Sequence, residues 1–129
     1  MALELHCFGL SCKAEADMTA KQYYAVELTG AGLLVDIPDN AGDTVFGVIQ
    51  NKPPIGGAVS VMIMGVTLWV SDGSGTAIAV GDVVGTNNVG KCVVKSANNA
   101  KVAGIALSAS TADGTIIDVL LTPGVYLGA

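Results

Sequence analysis

The chain has 129 residues, 51% of them hydrophobic and only 13% charged, and a formal net charge of −5. That length supports one domain with a real core and argues against two ordinary ones. Eleven carboxylates face six lysines and no arginine, a balance that speaks against nucleic acid as a partner, because phosphate forks and base edges are arginine's work.

The apolar mass is Val, Ile, Leu and Ala, punctuated by 17 glycines, with two Phe, three Tyr and one Trp. This mixture favours strands joined by tight turns over helices. Mean hydropathy is +0.60, high for a chain that must stay in solution alone. Burial of part of the exterior against other chains is therefore expected. A membrane span is not expected. The longest nearly unbroken apolar run, Val59 to Val70, falls short of the roughly 20 residues a helix needs, and it contains Ser60, Gly65 and Thr67. No basic residue precedes Lys13, and Glu4, His6 and Gly9 interrupt any hydrophobic lead, so synthesis and use without export are expected.

In chain order, residues 1–20 show no clear period and read as an N-terminal arm, with Ala14 to Ala20 suited to a short helical turn. Lys21 to Leu28 alternates well enough for a first strand, ended by Thr29-Gly30-Ala31-Gly32. Leu33 to Ile37 is a short strand, and Pro38-Asp39-Asn40-Ala41-Gly42-Asp43 is a turn cluster. Asn51-Lys52-Pro53-Pro54 cannot sit inside a sheet, because the prolines withhold ladder donors. Val59 to Met64 and Val66 to Val70 are two strands, or one bent at Gly65. Asp72-Gly73-Ser74-Gly75 is a hairpin-type turn. Ala77 to Val80, Asp82 to Gly85 and Lys91 to Lys95 are short strands, with Asn87-Asn88 and Asn98-Asn99 turning the chain between them. Val102 to Leu107 and Thr115 to Leu121 follow, and Pro123-Gly124 closes the fold.

Two stretches share a layout. Residues 46–65 read FGVIQNKPPIGGAVSVMIMG and residues 104–121 read GIALSASTADGTIIDVLL. In each, a Gly-(Val/Ile) strand start is followed by a second glycine, Gly47/Gly57 and Gly104/Gly114, and then an apolar strand. A strand, a turn segment and a returning strand used twice predict an all-β fold. It is a small barrel or sandwich of about nine or ten short strands, one domain over residues 21–129.

The chemistry-bearing patterns are weak. Gly85 to Lys91 followed by Cys92 is one residue away from a phosphate-binding loop. The cysteine offers no hydroxyl to a magnesium ion, and the strand-like Val93-Val94-Lys95 leaves no helix N-terminus for the phosphates, so a hairpin is the reading preferred. His6, Cys7 and Cys12 fall short of the four ligands of a structural zinc site, and Cys92 is distant in sequence. A Cys7–Cys12 disulfide is the minor alternative to free thiols. The only histidine is remote from Ser60, Ser71 and Ser74, and Asp39, Asp43, Asp72, Asp82 and Asp113 lie beside glycines or turns. No catalytic residue, cofactor site or metal site is assigned, and the chain reads as a non-enzyme. Trp69 with Tyr23-Tyr24 is a sugar-stacking face at best, with packing the stronger reading.

With those residues in view, the chain resembles the small tailed-phage capsid decoration, or cement, proteins, some of which carry a recombinase label that the failed phosphate loop does not support. The resemblance runs through Lys13-Ala14-Glu15-Ala16-Asp17, Lys21-Gln22-Tyr23, Phe46-Gly47-Val48-Ile49-Gln50-Asn51-Lys52-Pro53 and Gly56-Gly57-Ala58-Val59. It continues in Gly81-Asp82-Val83-Val84 and from Gly104-Ile105-Ala106-Leu107 to Leu121. The Gly-Val-Ile-Gln-Asn-Lys-Pro segment is its most distinctive part. His6, Cys7 and Cys12 depart from the pattern. The resemblance implies a bacteriophage structural protein on the outer surface of the virion, made in the host cytoplasm. It implies a homo-oligomer, most often a trimer, seated on the major capsid protein and stabilising contacts between capsid subunits. On that basis Leu3, Leu5, Phe8, Leu10 and Lys13 are expected to contact the capsid, and Val59, Val61, Ile63 and Trp69 to form the subunit interface. The alternative from a different class is a virion-surface module that binds host glycans, marked by an exposed cluster of Trp69 and the tyrosines.

Overall fold

The computed structural model describes residues 8–97 and 100–126. It is all-β, with no helix among the described residues. The strands are β1 (Phe8–Ala14), β2 (Ala25–Gly30), β3 (Leu34–Asp36), β4 (Gly47–Ile49), β5 (Ala58–Asp72), β6 (Val83–Thr86), β7 (Cys92–Val94), β8 (Lys101–Ala106) and β9 (Asp113–Tyr126).

Strand pairing closes two five-strand rings on one shared strand. The first runs β1–β3–β2–β4–β5 and back to β1; the second runs β5–β7–β6–β8–β9 and back to β5. Residues Ala58 to Met64 of β5 serve the first ring, against β1 and β4. Gly65 to Asp72 serve the second, against β9 and β7. Gly65 has φ +113, a backbone value that the flanking Met and Val would adopt only under strain. Here the strand passes from one ring to the other.

Alternation along β5 never changes phase across that glycine. Val59 and Val61 are buried in the first ring, and Thr67, Trp69 and Ser71 in the second. Each ring has a core, and Ala25 of β2 and Val48 of β4, from the first ring, join that of the second. Cys12, Ala14, Met18, Val26, Val35, Ile49, Val59 and Val61 form one cluster. Trp69, Ile78, Val84, Cys92, Ala103, Ile117, Val119 and Leu121 are the main part of the other. The buried hydroxyls are satisfied internally, as burial demands. Gln50 Nε2 donates to Thr67 Oγ1 at 2.8 Å, and Ser71 Oγ donates to Thr115 O at 2.6 Å.

The two similar stretches become two antiparallel pairs, β4–β5 in the first ring and β8–β9 in the second. Their leading glycines do the same job. A Cβ on Gly47 would collide with the Met62 carbonyl, and one on Gly104 with the Leu120 carbonyl.

Three expectations change. Residues 8–20 are not an arm: Phe8–Ala14 is a full strand, antiparallel to β5 and parallel to β3. Its inward residues Cys12 and Ala14 are small, so the sequence shows little apolar period there. The helical turn over Ala14 to Ala20 is instead an irregular link that drops Met18, fully buried, into the first core. Ala77 to Val80 is not a strand; Ile78 makes a single bridge to Ser110. Residues 1–7, the rest of the expected arm, lie outside the described residues.

Overpacking costs about 1–3 kcal/mol where backbone must move. Gly104→Ala is expected to lower unfolding stability in urea by about that amount. Gly75→Ala, whose new methyl meets nothing within 4 Å, should unfold at the wild-type midpoint.

Candidate functional site

The outside of the two rings, rather than a cleft, carries the unexplained features. Phe8 is 52% exposed and lies opposite Met64, itself 50% exposed. Lys13 on the same strand is exposed, while Leu10 is half-buried and packs against the first core. Leu3 and Leu5 lie outside the described residues. The five expected capsid contacts are therefore not equivalent: Phe8 and Lys13 face outward, and Leu10 is largely spent on packing.

The residues expected at a subunit interface lie inside the rings. Val59, Val61 and Trp69 are fully buried inside the rings, and Ile63 is half-buried against the first core. They cannot meet another chain. The residues that sequence reasoning missed are their neighbours of opposite phase, Met64 and Leu68, which stand on the outer face of β5. A strand that is apolar on both faces gives no sign of which face is inside.

Trp69 is held by its polar edge as well. Its Nε1 donates to the Gly90 carbonyl at 3.0 Å, inside the second ring. Gly90 belongs to the β6–β7 hairpin, where Asn87 Oδ1 accepts from the backbone N–H groups of Val89 and Lys91. The segment that approaches a phosphate loop is this hairpin, and Lys91 Nζ is committed to Asp113 Oδ1 at 2.7 Å. Burial pushes the Cys92 thiol far up and raises that of Cys12, so both stay protonated and unreactive.

Where the rings meet, a groove of about 400 Å³ is lined by Thr19, Gln22, Tyr23, Tyr24, Lys52 and Ile116, among others. Tyr23 has φ +66, rare for a bulky residue. Its amide donates to Ile49 O and its carbonyl accepts from Val70, tying the first ring to the second.

The strongest electrostatic feature is acidic. Glu27 on β2 meets Asp39 and Asp43 from the following turn, with their carboxylate oxygens within 4.8 Å of one another. The turn folds through its own side chains: Asn40 N donates to Asp43 Oδ2, and Gly42 N to Asn40 Oδ1. Lys95 reaches the same turn, donating from Nζ to Ala41 O. Desolvation, a hydrogen bond to Asp43 and the charges of Asp43, Asp39 and Asp36 raise Glu27 to about 7.

The model of the phage cement protein family matches residues 8–121, spanning both rings. The chain belongs to the phage cement protein family. Its members are structural proteins of the phage head, and a structural role in the capsid follows from that membership. No curated protein matches the chain. Among solved structures, the N base of head fiber gp8.5 of bacteriophage phi29 shares the fold. The TM-score is 0.65 at 15% identity, over 91% of this chain and 95% of that one.

The acidic group makes stability depend on pH. Glu27 ionises at about 7 in the folded chain against an ordinary 4.5, so between those values the folded state holds the proton that the unfolded state has lost. Its contribution is complete below the unfolded value and is lost as pH rises through about 7. Glu27→Gln is expected to flatten that decline, measured as urea midpoints across this range.

Proposed function

We propose that this protein binds the outer surface of a phage head and stabilises contacts between major capsid subunits, acting as a homo-oligomer, a trimer in the simplest case. The observation that carries the reading is the family match across 8–121, which covers nearly every strand of both rings. Made in the host cytoplasm, the protein would add to the assembled shell. Phe8 and Lys13, with Leu3 and Leu5 upstream, are the proposed capsid contacts, and Leu10 supports them from the first core.

The surface chemistry supports this. Large apolar side chains stand exposed on a chain with few charges, and their burial is worth about 25 cal/mol per Å². Each contact is modest, but many copies on a closed shell act together. The glycan-binding alternative needs an exposed Trp69 to stack on a sugar. Trp69 is instead fully buried, with its indole N–H bonded to Gly90.

Purified protein added to heads that lack it is expected to bind saturably and to raise the temperature at which the packaged DNA escapes. Phe8→Asp should weaken that binding with little loss of stability, since the side chain is half in solvent. Removing residues 2–7 tests the upstream contacts alone. Removing residues 1–12 would also strip most of β1 and open the first ring. Heads that neither retain the protein nor gain heat resistance would overturn the reading.

A further inference from the structure

The outer face of the second ring is an apolar sheet surface with a single charge near its centre. Leu68 on β5 and Ile116 and Asp118 on β9 point away from the core, since Trp69, Ile117 and Val119 beside them are buried. Strand register then fixes two rows across the sheet. One runs from Val66 on β5 to Leu120 on β9 and Ile105 on β8. The other runs from Leu68 to Asp118, whose carbonyl accepts from the Leu107 amide. Met64 and Ile116 extend the surface along β5 and β9. Asp118 is the ionisable residue among these side chains, and Lys52 and Tyr24 border Ile116 across the groove between the rings.

We propose that this face, centred on Leu68, Leu120 and Ile105, is where one copy of the chain packs against another. The proposal rests on the reading above that the protein self-associates, and names the surface that does it. Two arguments favour a second copy as the occupant. The first is area. Met64, Leu68, Ile105, Leu107 and Ile116 are 38–51% exposed. At roughly 150–200 Å² for a large side chain, they present about 400 Å² of apolar surface per copy. Two such faces together reach about 800 Å², and the half-buried Val66 and Leu120 bring them toward the size of a specific interface, about 1,000 Å², before any polar rim is added. The second is charge. Every copy carries −5, so like-charge repulsion opposes approach wherever carboxylates cluster, as at Glu27, Asp39 and Asp43. This face holds one carboxylate and is where two copies meet at least cost. Closed symmetry then brings the same face of each copy around one axis.

The test is the mass of the full chain in solution, by light scattering across a concentration series. Wild type is expected at a multiple of the 12.9 kDa chain. Leu68→Asp with Ile105→Asp buries unpaired charge in the proposed contact, and should raise the dissociation constant by about 100-fold or more and give single chains. Ile55→Asp, exposed in a loop outside the face, should keep the wild-type mass. Should the double aspartate variant misfold by circular dichroism, Leu68→Thr with Ile105→Thr retains strand preference and should still shift association to higher concentration. Wild-type mass in a folded face variant, or a wild type that stays a single chain throughout, overturns the proposal. Binding to heads is scored separately. A single-chain wild type that still binds heads defeats this inference alone, and an oligomer that uses this face but ignores heads defeats the capsid reading alone.

Discussion

Everything in this fold hangs on β5 being shared. A five-strand ring needs a fifth strand to close it, and β5 supplies that strand twice, to β1 and β4 before Gly65 and to β9 and β7 after it. Because the inward phase is continuous across the glycine, one set of alternate residues lines both cores. The bend costs no side-chain phase, only a backbone value that glycine reaches freely. A slip of one residue in either half would turn that half's apolar set out of its core.

Closure on a shared strand also decides how the protein can meet others. Every strand has a partner on each side, which leaves open stretches such as β9 beyond Leu121 but no whole free edge strand among those described for another chain to extend. Contact must then run through side chains on the outer faces. With charged residues so scarce, those faces are largely apolar, though Lys13, Glu27 and Asp118 stand on strands, and an acidic group gathers where Asp39 and Asp43 of one turn meet Glu27. The composition and the topology thus lead to the same kind of surface, largely apolar on the sheets with few charges between.

Strand content and the absence of helix were legible because glycine spacing and β-branched runs signal local geometry. What failed to show in the sequence were relations between segments. Val59, Val61 and Trp69 looked like surface because the run from Val59 to Val70 is apolar on both faces, and only ring closure assigns an inside. β1 was invisible for the opposite reason, since its buried residues include small ones, Cys12 and Ala14. Pro123 was read as an end, yet β9 continues to Tyr126. Beyond Leu121, β9 pairs with β8 alone, so a missing amide on the other side breaks no ladder. The Glu27 group could not be seen either. Its turn was plain in the sequence, but its approach to β2 is a tertiary fact.

Placing β1 inside the first ring changes what docking through it means. A loose arm can grip a shell without consequence for the fold behind it. β1 cannot, because Phe8 faces outward from the strand whose Cys12 and Ala14 fill the first core. A partner that holds Phe8 only in its strand conformation adds its binding free energy to ring closure by mass action. The gain passes through the Phe8–Met64 pairing directly into β5. The self-contact proposed above begins at Met64 and lies mainly on the other half of β5, past Gly65. On these readings the two rings divide the work, one gripping the shell and the other gripping its own kind, with a single bent strand carrying load between them.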